Sequence, residues 1–191
     1  MVNKMRVINP LIATLFVLSS TMAFETNADT PLTDEASNYC TQAGGAVEAM
    51  PAMFSTASGG VTGLTHHFCT FHIDNGFIVI GLETFSSTSP SIAATYMKML
   101  PEITKASTLL KGKYSNPSFN ACLNLGGTTL GFVSGGGFTN ALGESDVCVF
   151  GDGSMVSAWS LIYMANHRDG YDQIKNQVKA DPMAIVIPGA N

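Results

Sequence analysis

The sequence predicts an α+β fold made by tandem duplication of a small helix–three-strand–helix unit, with an antiparallel sheet and one disulfide per unit. Three observations predict it. At an offset of 82 residues, Cys40-Thr41-Gln42-Ala43-Gly44-Gly45 aligns with Cys122-Leu123-Asn124-Leu125-Gly126-Gly127, so both stretches read C-x-x-x-G-G. Downstream, Cys69-Thr70-Phe71 matches Cys148-Val149-Phe150, and each is followed by an acidic residue and a glycine, Asp74 and Gly76 against Asp152 and Gly153. Around these landmarks, helix punctuation and short β-rich runs recur in the same order. Four cysteines allow three pairings; the repeat selects Cys40 with Cys69 and Cys122 with Cys148. Closing loops of about thirty residues stabilises each unit by roughly 3 to 4 kcal/mol in the chain-entropy model.

The chain opens with Lys4 and Arg6, an apolar stretch from Leu11 to Leu18, and the small-residue run Ser19-Ser20-Thr21-Met22-Ala23. That order is a secretory signal peptide, residues 1–23, cleaved after Ala23, with Thr26 and Ala28 marking a second possible site. Its apolar core is too short to span a hydrocarbon layer of roughly 30 Å. Residues 24–32 are read as a linker, 33–100 as the first unit, 101–115 as a lysine-bearing connection, 116–180 as the second unit and 181–191 as a tail.

Each unit starts with a short helix. Thr33 is placed to cap the first, with Asp34 and Glu35 in its opening turn, and Asn116 and Pro117 begin the second. The Gly44-Gly45 and Gly126-Gly127 pairs supply the left-handed stops. Strands follow at Ala46 to Met50 and Thr128 to Val133, then turns at Ser58-Gly59-Gly60 and Ser134-Gly135-Gly136-Gly137. The late cysteines are expected to open the next strands. Phe77 to Leu82 and Met155 to Tyr163 are expected as third strands, which puts Trp159, Leu161 and Tyr163 on one strand face. Closing helices are expected from Ser91 to Leu100, capped at Ser89, and around Tyr171, Ile174 and Val178.

Removing Lys4 and Arg6 leaves seven basic against fourteen acidic residues, which argues against a phosphate-tracking surface and against nucleic acid as a partner. No later segment is long and apolar enough to span a membrane as a helix. Cys40 follows Ser37-Asn38-Tyr39, not the small apolar residues that precede a lipid-modified cysteine. The expected location is periplasmic or secreted.

The second half resembles a family of small bacterial exported domains of unknown function that carries a hemolysin label. The residues that carry the resemblance are Cys122, Gly126-Gly127, Cys148-Val149-Phe150, Asp152-Gly153-Ser154 and Trp159. Two further cysteines usual in that family correspond to Val156 and Asn166, and both are absent together. In the first half Val79 and Leu82 take the cysteine and tryptophan positions, with two extra residues before Gly76. The resemblance implies export and a compact cystine-containing domain. Neither half has the long amphipathic or apolar segment of a pore.

Candidate chemistry centres on His66, His67, His72 and Asp74, since imidazole and carboxylate are common ligands of zinc or copper. On a straight strand His66 and His72 share a face but stand about 20 Å apart, at some 3.3 Å per residue. Their counterparts are read as Asp146, Val147 and Gly151, so the cluster is not a property of the repeat. Gly143-Glu144-Ser145-Asp146 and Gly153-Ser154 are not G-x-S-x-G elbows and are read as turn serines. Asp152 is expected to shape a turn with Gly153. An even cysteine set argues against a catalytic thiol. No catalytic residue and no cofactor are assigned.

The first functional reading is therefore an exported, non-enzymatic binding or interaction protein, inhibitor-like in one form, whose partner is a protein or envelope component. The alternative is a secreted hydrolase or metal-binding protein using His66, His67 and His72. A membrane-active hemolysin ranks last.

Overall fold

A computed structural model describes residues 34–74, 76–134 and 144–189. Its strands are β1 (Ala46–Thr56), β2 (Gly59–Ile73), β3 (Gly76–Gly81), β4 (Thr128–Val133), β5 (Glu144–Val149) and β6 (Met155–Ser157). They close in the order β1-β2-β3-β6-β5-β4, all neighbours antiparallel. The sheet expected in each unit is not separate from the other. The halves meet at Ile80 opposite Val156 and at Ala52 and Met53 opposite Phe132 and Gly131. The mixed α+β class and the antiparallel pairing stand, but there is one barrel in place of two tandem units with a sheet each.

Strand alternation divides the apolar residues between two cores. Inside the barrel lie Met50, Ala52, Phe68, Phe77, Val79, Phe132 and Val147, with side chains from both halves in contact. The opposite faces of the same strands, including Phe71, Ile78, Ile80, Cys148 and Val156, pack beneath the helices. β1 makes its turn toward β4 at an irregularity between Pro51 and Met53, where β2 contributes an additional residue. A bulge bends a strand at a barrel rim, and Pro51 suits that place because it has no N–H to offer a ladder.

The helices are α1 (Asp34–Gln42), α2 (Leu82–Ser86), α3 (Ile92–Met99), α4 (Pro117–Asn124), α5 (Ala158–Ala165) and α6 (Tyr171–Lys175), with a 3₁₀ turn at Thr108–Leu110. Both expected disulfides are present, Cys40–Cys69 and Cys122–Cys148, and each ties a helix to a strand. The C-x-x-x-G-G pattern follows from this geometry. Gly44 and Gly126 end α1 and α4 at φ of 86° and 82°, and a Cβ on Gly45 or Gly127 would lie 2.7 or 2.5 Å from the Sγ of Cys69 or Cys148. The first glycine serves backbone conformation; the second makes room for the bridge.

Asn116 caps α4 by accepting from the Ser118 N–H, and Pro117 stands at its first position, as expected. Thr33 and residues 135–137 lie outside the described residues. Four expectations need correction. Cys69 and Cys148 stand near the ends of β2 and β5, since the ladders begin well before them. The stretch Met155 to Tyr163 is a three-residue strand followed by α5, because Ala158, Leu161, Ile162 and Ala165 repeat at helical spacing and are all buried. Ser91, not Ser89, caps α3, accepting from the Ala94 N–H. Val178 lies beyond α6, although it is buried with Tyr171 and Ile174.

The stretch from Pro101 to Ser115 is packed as well as connecting. Ile103 and Leu109 are buried, and the Asn166 side chain accepts from the Ile103 N–H and donates to its carbonyl. Asp-Gly-Ser, read as a turn, does form one, with Gly153 at φ 80°. It also holds the other half of the chain. Asp152 accepts from the Ile92 N–H at 2.7 Å and Ser154 accepts from the Ala93 N–H at 3.0 Å, so both satisfy the start of α3.

Candidate functional site

The register of the shortest strand creates the site. β6 ends at Ser157, opposite Val147, and the chain then turns into α5. Ser145 of β5 and Phe77 of β3 extend past that point with no β6 residue between them. The resulting notch in the barrel wall encloses about 300 Å³ and is lined by Phe77, Val79, Ser145, Asp146, Ser157, Trp159, Tyr163 and Arg168. That volume is at the small end of ligand pockets.

Helical spacing builds its outer wall. Trp159 and Tyr163 are one turn apart on α5, and their rings stack with centroids 5.5 Å apart and planes at 25°. The Arg168 guanidinium lies 4.4 Å from the Tyr163 ring centre, and Tyr171 meets Tyr163 edge-on at 5.2 Å. Trp159, Tyr163 and Arg168 are each partly exposed, whereas Tyr171 is fully buried behind them. Burial pushes the Tyr171 hydroxyl above its ordinary pKa, with the Arg168 charge acting the other way. Tyr171 therefore stays neutral at physiological pH.

The polar lining is balanced. Asp146 and Arg168 carry opposite charges, and Ser145 and Ser157 add hydroxyls. Ser145 is 2% exposed, and its Oγ has no hydrogen-bond partner among the described residues. Comparison with family models, curated proteins and solved structures finds no match.

The histidines singled out in the sequence all stand on β2. His66 is half-buried and meets the Phe132 ring edge-on at 5.7 Å, while His72 is exposed beside Phe77 at 4.7 Å. Among the described residues, no three His, Cys, Asp or Glu side chains converge on one point. Strand register also corrects their counterparts. His66 faces Met50 as Ser145 faces Phe132, and His67 faces Ala49 as Asp146 faces Gly131, so His66-His67 stands where the other half has Ser145-Asp146. Likewise Ile80, not Val79, is the counterpart of Val156, since each stands opposite the late cysteine of its half, Cys69 and Cys148.

Of the two candidate serines, Ser145 lies in β5 and not in a turn. Ser154 is engaged in structure: it donates to Asp152 Oδ1 at 2.6 Å while accepting from Ala93. Burial works against ionisation of Asp152, but hydrogen bonds from the Ser154 hydroxyl and the Ile92 and Ser154 N–H groups outweigh it and hold the carboxyl below its ordinary pKa. Sequence reasoning put Trp159 and Tyr163 on one face, but as a strand that also included Leu161, which the helix buries on its other side, and it missed Arg168 altogether. The available signal was the Ala158-Leu161-Ile162-Ala165 helical period, which places Trp159 and Tyr163 together on the opposite, half-exposed side.

Proposed function

We propose that this chain is an exported, non-enzymatic binding protein whose ligand or partner, an envelope component or another protein, docks at the notch beside Trp159. The observation that carries this reading is the stacked Trp159–Tyr163 pair, partly exposed and lining a charge-balanced recess. Aromatic residues with one wet side are typical of recognition surfaces. The serine and carboxylate of the Asp-Gly-Ser turn are engaged in capping α3, which favours binding over hydrolysis.

Export is supported by the basic, apolar and small-residue order of residues 1–23, read as a cleaved signal peptide, and by two disulfides. No helix among the described residues is long and apolar enough to cross a membrane. Descent of both halves from one unit is supported by matching element order, matching disulfides and matching strand register. The resemblance to exported bacterial domains supports the same compartment. Its hemolysin label adds nothing to the reading.

Incubation of the mature protein with envelope extract and culture fluid, followed by recapture, tests the reading. A component retained by the wild type and lost with Trp159→Ala supports it; equal retention by both removes the notch as the binding face. A second, inhibitor-like reading rests on the β1–β2 hairpin, whose outer part exposes Phe54, Val61 and Leu64. Inhibition of an envelope protease or glycan hydrolase that is abolished by Phe54→Ser, Leu64→Ser would favour that face instead.

A further inference from the structure

We infer that the outer β1–β2 hairpin is a self-association surface, on which a second copy of this chain docks apolar face to apolar face about a two-fold axis. This goes beyond the binding role proposed for the notch and does not depend on it. Strand pairing sets the hairpin apart: β3 pairs with β2 only from Phe68 to Ile73, so Gly59 to His67 continue without a ladder partner on that side among the described residues. Three large apolar side chains stand out in this overhang, with Phe54 44%, Val61 46% and Leu64 53% exposed. Alternation puts all three on one side. Phe54 follows the buried Ala52 by two, Val61 stands opposite Phe54, and Leu64 precedes by two His66, whose ring meets the interior Phe132. The Phe54 ring also lies over Gly63, where any Cβ would collide with it. The patch continues the core-facing side of β1 and β2 past the closed part of the barrel.

Charge selects the occupant. With Lys4 and Arg6 removed, the chain carries fourteen acidic against seven basic residues, so two copies repel one another over most approaches. From Ala49 to Ile73 there is no Asp, Glu, Lys or Arg, so two hairpins can meet without burying a charge or opposing a like one. A patch with no charge to match is its own complement, and a two-fold contact requires the same patch on both sides. β2 also lacks the charged residues and proline that shield exposed strands of soluble monomers up to its end at Ile73. Because the hairpin projects beyond its ladder with β3, a second hairpin can reach its apolar face. Two such faces bury less than the roughly 1,200–2,000 Å² of a stable complex, so the dimer forms reversibly and at high concentration.

Sedimentation equilibrium of the oxidised mature chain, from micromolar to millimolar concentration, is expected to show a mass rising from one copy toward two. Methyl NMR on the same unaltered chain locates the contact: the Val61 and Leu64 methyl resonances should shift with concentration while those of the buried Val79 stay fixed. Leu64→Lys and Leu64→Glu alter a half-exposed position and should keep the wild-type unfolding midpoint. Each should weaken association by about tenfold or more, and their equimolar mixture should restore it as opposite charges meet across the axis. A monomer at every concentration overturns the inference and leaves this face to the inhibitor-like reading. A dimer of undiminished strength in both variants, a mixture no stronger than either variant alone, or methyl shifts confined to other residues overturns it as well. The recapture experiment at Trp159 reads the notch separately from all of these.

Discussion

At the residue scale, the paired glycines after each early cysteine divide their work, and substitution should separate the two jobs. Gly127→Ala places a methyl group against the Cys122–Cys148 bridge and should destabilise the protein by about 1–3 kcal/mol, measured by denaturant unfolding. Gly126→Ala meets no atom within 4 Å and should cost about 1 kcal/mol through its left-handed backbone alone. Asp152 offers a second test, in pH. Its folded pKa is lowered, so its contribution is complete above the ordinary aspartate pKa of about 3.9 and is lost as pH falls through the lower folded value. The stability difference between wild type and Asp152→Asn should therefore be constant near neutrality and shrink below about pH 4. A difference that grows on acidification would contradict the assignment. The glycine pairs and the turn at Asp152 were legible in the sequence, because both depend on local backbone needs. The contact of Asp152 with Ile92, sixty residues away, had no local signal.

At the element scale, the disulfides staple α1 to β2 and α4 to β5. Replacing Cys122 and Cys148 together by alanine should lower stability by about 3 kcal/mol at neutral pH, read by chemical denaturation under non-reducing conditions, if the closed loop acts chiefly on the unfolded chain. The same pairing was legible because the cysteines repeat with their glycines. The third strands were half legible. Phe77 to Gly81 forms a strand because β-branched residues crowd it, whereas Met155 to Tyr163 breaks after three residues. There the helical period of four small and aliphatic residues outweighs the β preference of Trp159, Ile162 and Tyr163. That early break is what opens the notch. In the β1–β2 hairpin, amides beyond the bulge at Pro51 should exchange faster with solvent than those of Phe68 to Phe71, since the outer strands expose most of their residues and the inner ones are buried.

At the scale of the whole molecule, the barrel interior belongs to neither half. Met50, Phe68 and Val79 from one pack with Phe132 and Val147 from the other, and burial of each large side chain contributes about 1.5–3 kcal/mol. A fragment of residues 24–100, with its disulfide formed, should therefore lack a cooperative thermal transition by near-UV circular dichroism. Cooperative unfolding of that fragment would show that half a barrel suffices. The sequence by itself determined the four cysteines' partners, the helix stops, the order of elements and the sign of the net charge, because each depends on neighbours along the chain or on composition. Only the tertiary structure decided that six strands close into one sheet and that Trp159, Tyr163, Arg168 and Ser145 surround one recess. Closure and convergence are set by which strand lies beside which and where one of them stops, and strand adjacency across a hundred residues leaves no trace in local periodicity.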